Sequence, residues 1–128
     1  MTVRDWLSNV LNDIMNCKKV GKNETIARNY SKLVFEVLKI MESEDYIKKV
    51  EEVDDKFKKL SIKIGNLNKC KAIKPRFFVS NRGFEKYVRR YLPARDFGII
   101  IVSTNKGLMT HKEAIEKKLG GSLIAYCY

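Results

Sequence analysis

The chain has 128 residues, enough for one compact domain or for two small ones with thin individual cores. It is 45% hydrophobic and 32% charged, with 26 Lys and Arg against 15 Asp and Glu, a formal charge of +11. That balance excludes a disordered chain, and no apolar run is long enough for a spanning helix. The cation excess points to a polyanionic partner, nucleic acid before an anionic membrane surface.

The first residues enter a helix pattern directly, without a signal-peptide pattern, so a cytosolic location is expected. Val3, Trp6, Leu7, Val10, Leu11, Ile14 and Met15 recur at three- and four-residue intervals and make one apolar face. Thr2 can cap the start of this helix, which stops before Gly21. Glu24 to Ala27 reads as a short strand. Ser31 then caps a second helix with Val34, Val37, Leu38 and Met41 inward, and Leu33 and Ile40 widening the face. Lys32 lies at its first turn, either as a solvated lysine or as a phosphate contact beside a helix N-terminus.

Tyr46 to Val53 and Phe57 to Ile64 read as two strands joined by a turn at Asp54-Asp55, the second alternating Leu60, Ile62 and Ile64 against Ser61 and Lys63. Between Glu42 and Asp55 there are seven acids and two lysines, so this stretch should face solvent or a basic neighbouring protein rather than phosphate. Gly65-Asn66-Leu67-Asn68 marks the expected domain boundary, giving an N-terminal α/β domain over 1–65 and a β-rich domain over 66–128. The fold class expected is α+β: an α-β-α-β-β half followed by a mostly antiparallel half with short helices.

Past the boundary the charge reverses: Lys69 to Arg95 holds nine bases and one acid. Within it, Lys74-Pro75-Arg76-Phe77 is held extended by the proline, with its charges beside an aromatic ring. Phe84, Tyr87, Val88 and Tyr91 fall at helix spacing, chiefly as core. Tyr87 is retained as a ribose or base contact because its hydroxyl can bond from a half-buried ring. Pro93 ends that helix, and Arg95-Asp96 leads to the next strand.

Ile99-Ile100-Ile101-Val102 is an apolar, β-branched run and reads as a buried strand. Thr110 and Glu113 form a capping-box pattern at the start of a short helix. Between them, Ser103-Thr104-Asn105-Lys106-Gly107-Leu108-Met109 reads as a strand-to-helix loop bending at Gly107. Its hydroxyls, amide and ammonium suit contacts to phosphate, ribose and base edges. Gly120-Gly121 stops the helix and allows close backbone approach, and Ser122 to Tyr128 makes a last strand.

Cys17, Cys70 and Cys127 are odd in number and far apart, without a Cys-x-x-Cys pair, so three reduced thiols are expected and no metal or cofactor. His111 with Glu113 is the one acid–base pairing open to a small basic ribonuclease, and no second histidine supports it. A generic basic adaptor for DNA or membrane is the other alternative, although it would not need a fixed polar loop.

Ile-Val-Ser-Thr-Asn-Lys-Gly-Leu-Met-Thr at 101–110, with Leu119-Gly120-Gly121 and Ala125-Tyr126-Cys127-Tyr128, resembles the family of small-subunit ribosomal protein number eight. Ile73-Lys74-Pro75-Arg76-Phe77 and the run from Arg90 to Gly98 are similar to its archaeal and eukaryotic branch. The resemblance covers essentially the full length and implies a two-domain, non-enzymatic constituent of the small subunit. It would bind a helix in the central domain of the rRNA, help assemble the subunit platform and touch neighbouring ribosomal proteins. The family's main RNA contacts would fall on Ser103, Thr104, Asn105 and Lys106, then Gly121 and Ser122. Asn105 stands where serine is commonest, Trp6 where proline is frequent, Cys127 where valine is usual and Ser122 where many relatives have a longer charged residue.

Overall fold

The computed structural model describes residues 6–28, 32–54, 58–73, 76–94 and 97–128. The expected caps Thr2 and Ser31, together with Lys74, Pro75, Arg95 and the Asp55 side of the acidic turn, lie outside the described residues. The chain is α+β and divides into two compact units, Met1–Leu67 and Asn68–Tyr128.

In the first unit the order is α1 (Trp6–Lys19), β1 (Glu24–Arg28), α2 (Lys32–Ser43), β2 (Ile47–Asp54) and β3 (Lys58–Ile64). The strands form an antiparallel sheet in the order β1-β3-β2. Leu7, Val10, Leu11 and Ile14 of α1 and Val34, Val37, Leu38 and Met41 of α2 are buried, together with Leu60 and Ile62 of β3. Each side chain taken fully from water there contributes about 1.5–3 kcal/mol, so the apolar stripes read from the sequence supply the unit's cohesion. Part of the acidic stretch has work inside the unit. The Glu42 carboxylate accepts the Val50 N–H at 2.6 Å, beside the register shift in β2. Glu51 pairs with Lys49 at 2.5 Å, and that hydrogen bond holds its carboxyl below the usual range.

The second unit contains β4 (Cys70–Ala72), β5 (Phe78–Val79), α3 (Phe84–Tyr91), β6 (Ile99–Thr104), β7 (Gly107–Thr110), α4 (His111–Glu116) and β8 (Gly121–Cys127). Its sheet runs β4-β8-β6-β7, with β5 also paired to β8, and every pairing is antiparallel. β8 is therefore the central strand: β6 borders one side, and β4 and β5 share the other. Phe84 and Val88 of α3, Ala114 of α4, and Ile100, Val102, Met109, Leu123 and Tyr126 of the sheet make its core.

Two readings of the sequence need correction here. β4 and β5 are strands that periodicity did not reveal, because three and two residues are too few to show alternation. The stretch after Ile99–Val102 is not a strand-to-helix loop. The strand runs on through Ser103 and Thr104, reverses at Asn105-Lys106 and returns as β7, with Thr104 opposite Gly107 and Ile101 opposite Thr110. Polarity suggested a loop, but β6 is buried on both faces only over Ile99–Val102, and its half-buried end takes the polar Ser103 and Thr104.

Candidate RNA-binding surface

The β6–β7 hairpin turns on a glycine in third place rather than on the Asn-Gly pair typical of two-residue reversals. Among the described residues neither Asn105 nor Lys106 has positive φ, whereas Gly107 takes +106°. Glycine adopts that conformation without the penalty a Cβ would bring, so the chain can reverse there with the β6–β7 register unbroken. Asn105, Lys106 and Gly107 are all exposed.

Thr104 braces this tip from within. Its hydroxyl donates to the Gly107 carbonyl at 2.9 Å and accepts the Lys106 N–H at 3.1 Å. A hydroxyl has one proton, so Thr104 has little left to donate outward. It positions the tip, and the side chains open to a ligand are Asn105 and Lys106.

The second family-implied segment lies alongside. Ser122 on β8 is the register partner of Ser103 on β6, and Phe78 on β5 is the partner of Ser122 in turn. Ser103 is also opposite Leu108. Residues directly opposite in antiparallel strands share a face. Phe78, Ser122, Ser103 and Leu108 therefore form one row across four strands, on the side away from the core residues Val79, Leu123 and Val102. Gly121 makes the approach of β8 possible, because a Cβ there would collide with the Ser103 carbonyl oxygen.

Phe78 is 75% exposed, and sequence reasoning missed it. Phe77, the ring of the extended basic segment, instead packs against the core and lies 5.9 Å from Tyr87. Strand alternation from the buried Val79 was the signal available: it turns Phe78 outward. An exposed ring beside two hydroxyls offers a stacking surface next to hydrogen-bonding groups.

The remaining predicted residues are distributed more widely. Arg76 is exposed two positions before Phe78. Tyr87 belongs to an aromatic series on α3, 6.5 Å from Tyr91 and with Lys86 over its ring, and not to the hairpin row. Lys32 is the first residue of α2, in the other unit. Ser31, Lys74 and Arg95 lie outside the described residues.

α4 fixes the root of the hairpin. The Thr110 hydroxyl accepts the Glu113 N–H at 3.3 Å, as the capping pattern anticipates. His111 is buried, and its Nδ1 accepts the Ile100 N–H of β6 at 3.1 Å. Burial, with the nearby Lys112 adding to it, lowers its pKa from 6.5 to about 4. A histidine that stays neutral and spends Nδ1 on a strand amide serves the fold. Its geometry does not support the acid–base role a ribonuclease would need.

Short hydroxyl and amide side chains beside an exposed ring on a basic α+β chain are groups of the kind that engage RNA sugars and unstacked bases. Comparison with known families agrees: the profile of Ribosomal protein S8 matches residues 5–128. The chain belongs to this family and is a small-subunit ribosomal protein that binds rRNA. Its membership also places it among structural components of the ribosome. Among the described residues no helix is long and apolar enough to cross a membrane.

Proposed function

We propose that the chain binds a helix in the central domain of small-subunit rRNA, and so helps assemble the subunit platform, by seating the tip at Asn105-Lys106 and the row Ser103–Ser122–Phe78 against it. One observation carries this reading: β6 and β8 approach so closely at Ser103 and Gly121 that the two polar segments become one surface. An A-form helix offers a shallow minor groove lined by 2′-hydroxyls, which short side chains such as Ser103, Ser122 and Asn105 can reach. Phe78 supplies a face for an unstacked base. Lys106, Arg76, Lys74, Arg95 and Lys32 contribute affinity through phosphate, and Tyr87 adds a hydroxyl at α3. The exposed acids outside the Glu42 and Glu51 pairings suit a basic ribosomal neighbour. The segments at 73–77 and 90–98 support an archaeal or eukaryotic type of chain, working in the cytoplasm.

Binding to a central-domain rRNA fragment, measured over a salt series, tests the division of labour. Ser103→Ala and Asn105→Ala should each cost about 1–3 kcal/mol with an unchanged salt slope, as loss of a desolvated hydrogen bond does. Arg76→Ala should weaken binding to cognate and unrelated RNA alike, and reduce the slope by about one unit or less. Unaltered cognate affinity in both hairpin variants would refute the assignment.

A further inference from the structure

The three cysteines do not stand in equivalent places. Cys17 is half-buried on α1 in the first unit, whereas Cys70 and Cys127 are both buried in the second and are register partners across β4 and β8. Their kind of pairing can be read from the backbone. Lys69 and Tyr128 exchange both hydrogen bonds, each N–H to the other's carbonyl at 2.9 Å. Further along, Ile73 donates to the Ile124 carbonyl at 2.9 Å. Bonded and non-bonded pairs alternate along an antiparallel ladder, so Cys70 and Cys127 occupy a non-hydrogen-bonded pair. There the Cα atoms lie about 4.5 Å apart and the side chains point to one face, within the roughly 4.4–6.8 Å that a disulfide spans.

We propose that Cys70 and Cys127 are a redox-sensitive dithiol that closes to an intramolecular cross-strand disulfide when the protein meets a peroxide. One thiolate attacks an oxygen of hydrogen peroxide and breaks the O–O bond, giving a sulfenic acid and a hydroxide that becomes water with the proton the thiol released. The second thiolate then attacks that sulfur, and the hydroxyl leaves as a second water after taking up a proton. Two thiols lose two electrons and two protons, and the peroxide is reduced to water. Buried thiols are ordinarily inert, so access depends on local opening. β4 provides it: a three-residue strand on the edge of the sheet, with Cys70 at its first position. Once formed, the bond ties β4 to the central strand and closes a loop over residues 70–127, nearly the whole second unit, which restricts its unfolded state.

The test uses the full chain carrying Cys17→Ser, which leaves the core untouched. After hydrogen peroxide treatment under native conditions, remaining thiols are alkylated and the protein is digested for mass spectrometry. The expected product is a Cys70–Cys127 linked peptide in most molecules, lighter by two hydrogens and reopened by dithiothreitol. The thermal midpoint of the oxidised monomer should rise by about 5 °C or more. Alkylation of both cysteines after treatment, oxidation to sulfinic acid without a link, or disulfides formed only between chains would each overturn the proposal.

Discussion

An alanine at position 107 meets no atom within 4 Å, yet it must adopt a φ of +106°. Its cost is one of backbone conformation alone, about 1–2 kcal/mol, borne at an exposed tip. Position 121 is the opposite case. There the backbone sets no such demand, but the new methyl would enter the Ser103 carbonyl and lie 2.8 Å from Val102 Cγ1. β6 is locked between two strands and cannot yield, so about 3 kcal/mol is expected, at the upper end of overpacking costs. Urea denaturation and RNA titration of Gly107→Ala and Gly121→Ala should therefore diverge. The first should lose affinity out of proportion to its stability, and the second should lose stability first. Sequence reading located both glycines and gave Gly121 its close approach, but it could not name the atom approached, since Ser103 lies eighteen positions away along the chain.

The helices and longer strands were legible because their apolar positions repeat over several turns or alternations. Leu7 to Ile14 and Val34 to Met41 are such cases, and each is buried on the face predicted. The hairpin was not legible as a hairpin, because its identity rests on the return of β7 to Ser103 and Val102, a pairing that composition does not encode. Nor was the work of α4 apparent beyond its cap. His111 anchors that helix to β6 as a neutral acceptor with a pKa of about 4, against an ordinary 6.5. Between those values the unfolded chain takes up a proton that the folded chain refuses. The resulting stability is complete above pH 6.5 and declines as pH falls toward 4. Comparing denaturant midpoints at about pH 7.5 and about pH 5 should show a larger drop for the native chain than for His111→Gln, which keeps an acceptor without the titration.

At the scale of the whole chain, the charge reverses near residues 65–68, and the chain divides into compact units between Leu67 and Asn68. Leu67 is itself buried, and a turn-rich tetrapeptide gives no sign of that. The order of strands in the second sheet was beyond reach, since antiparallel neighbours can be drawn from anywhere in the chain. That order has a bearing on synthesis. The strand to which β4, β5 and β6 all bond, over residues 121–127, is the last of the described strands in order of translation. Until it leaves the exit tunnel, the earlier strands lack the partner that completes their sheet, while the first unit already holds all of its own. A chain truncated before Gly121, released into solution and probed with protease, should accordingly be cut throughout 68–120 and resist cleavage within α1 to β3. The two units therefore differ in when their sheets can close, the first early in synthesis and the second only with its latest strand.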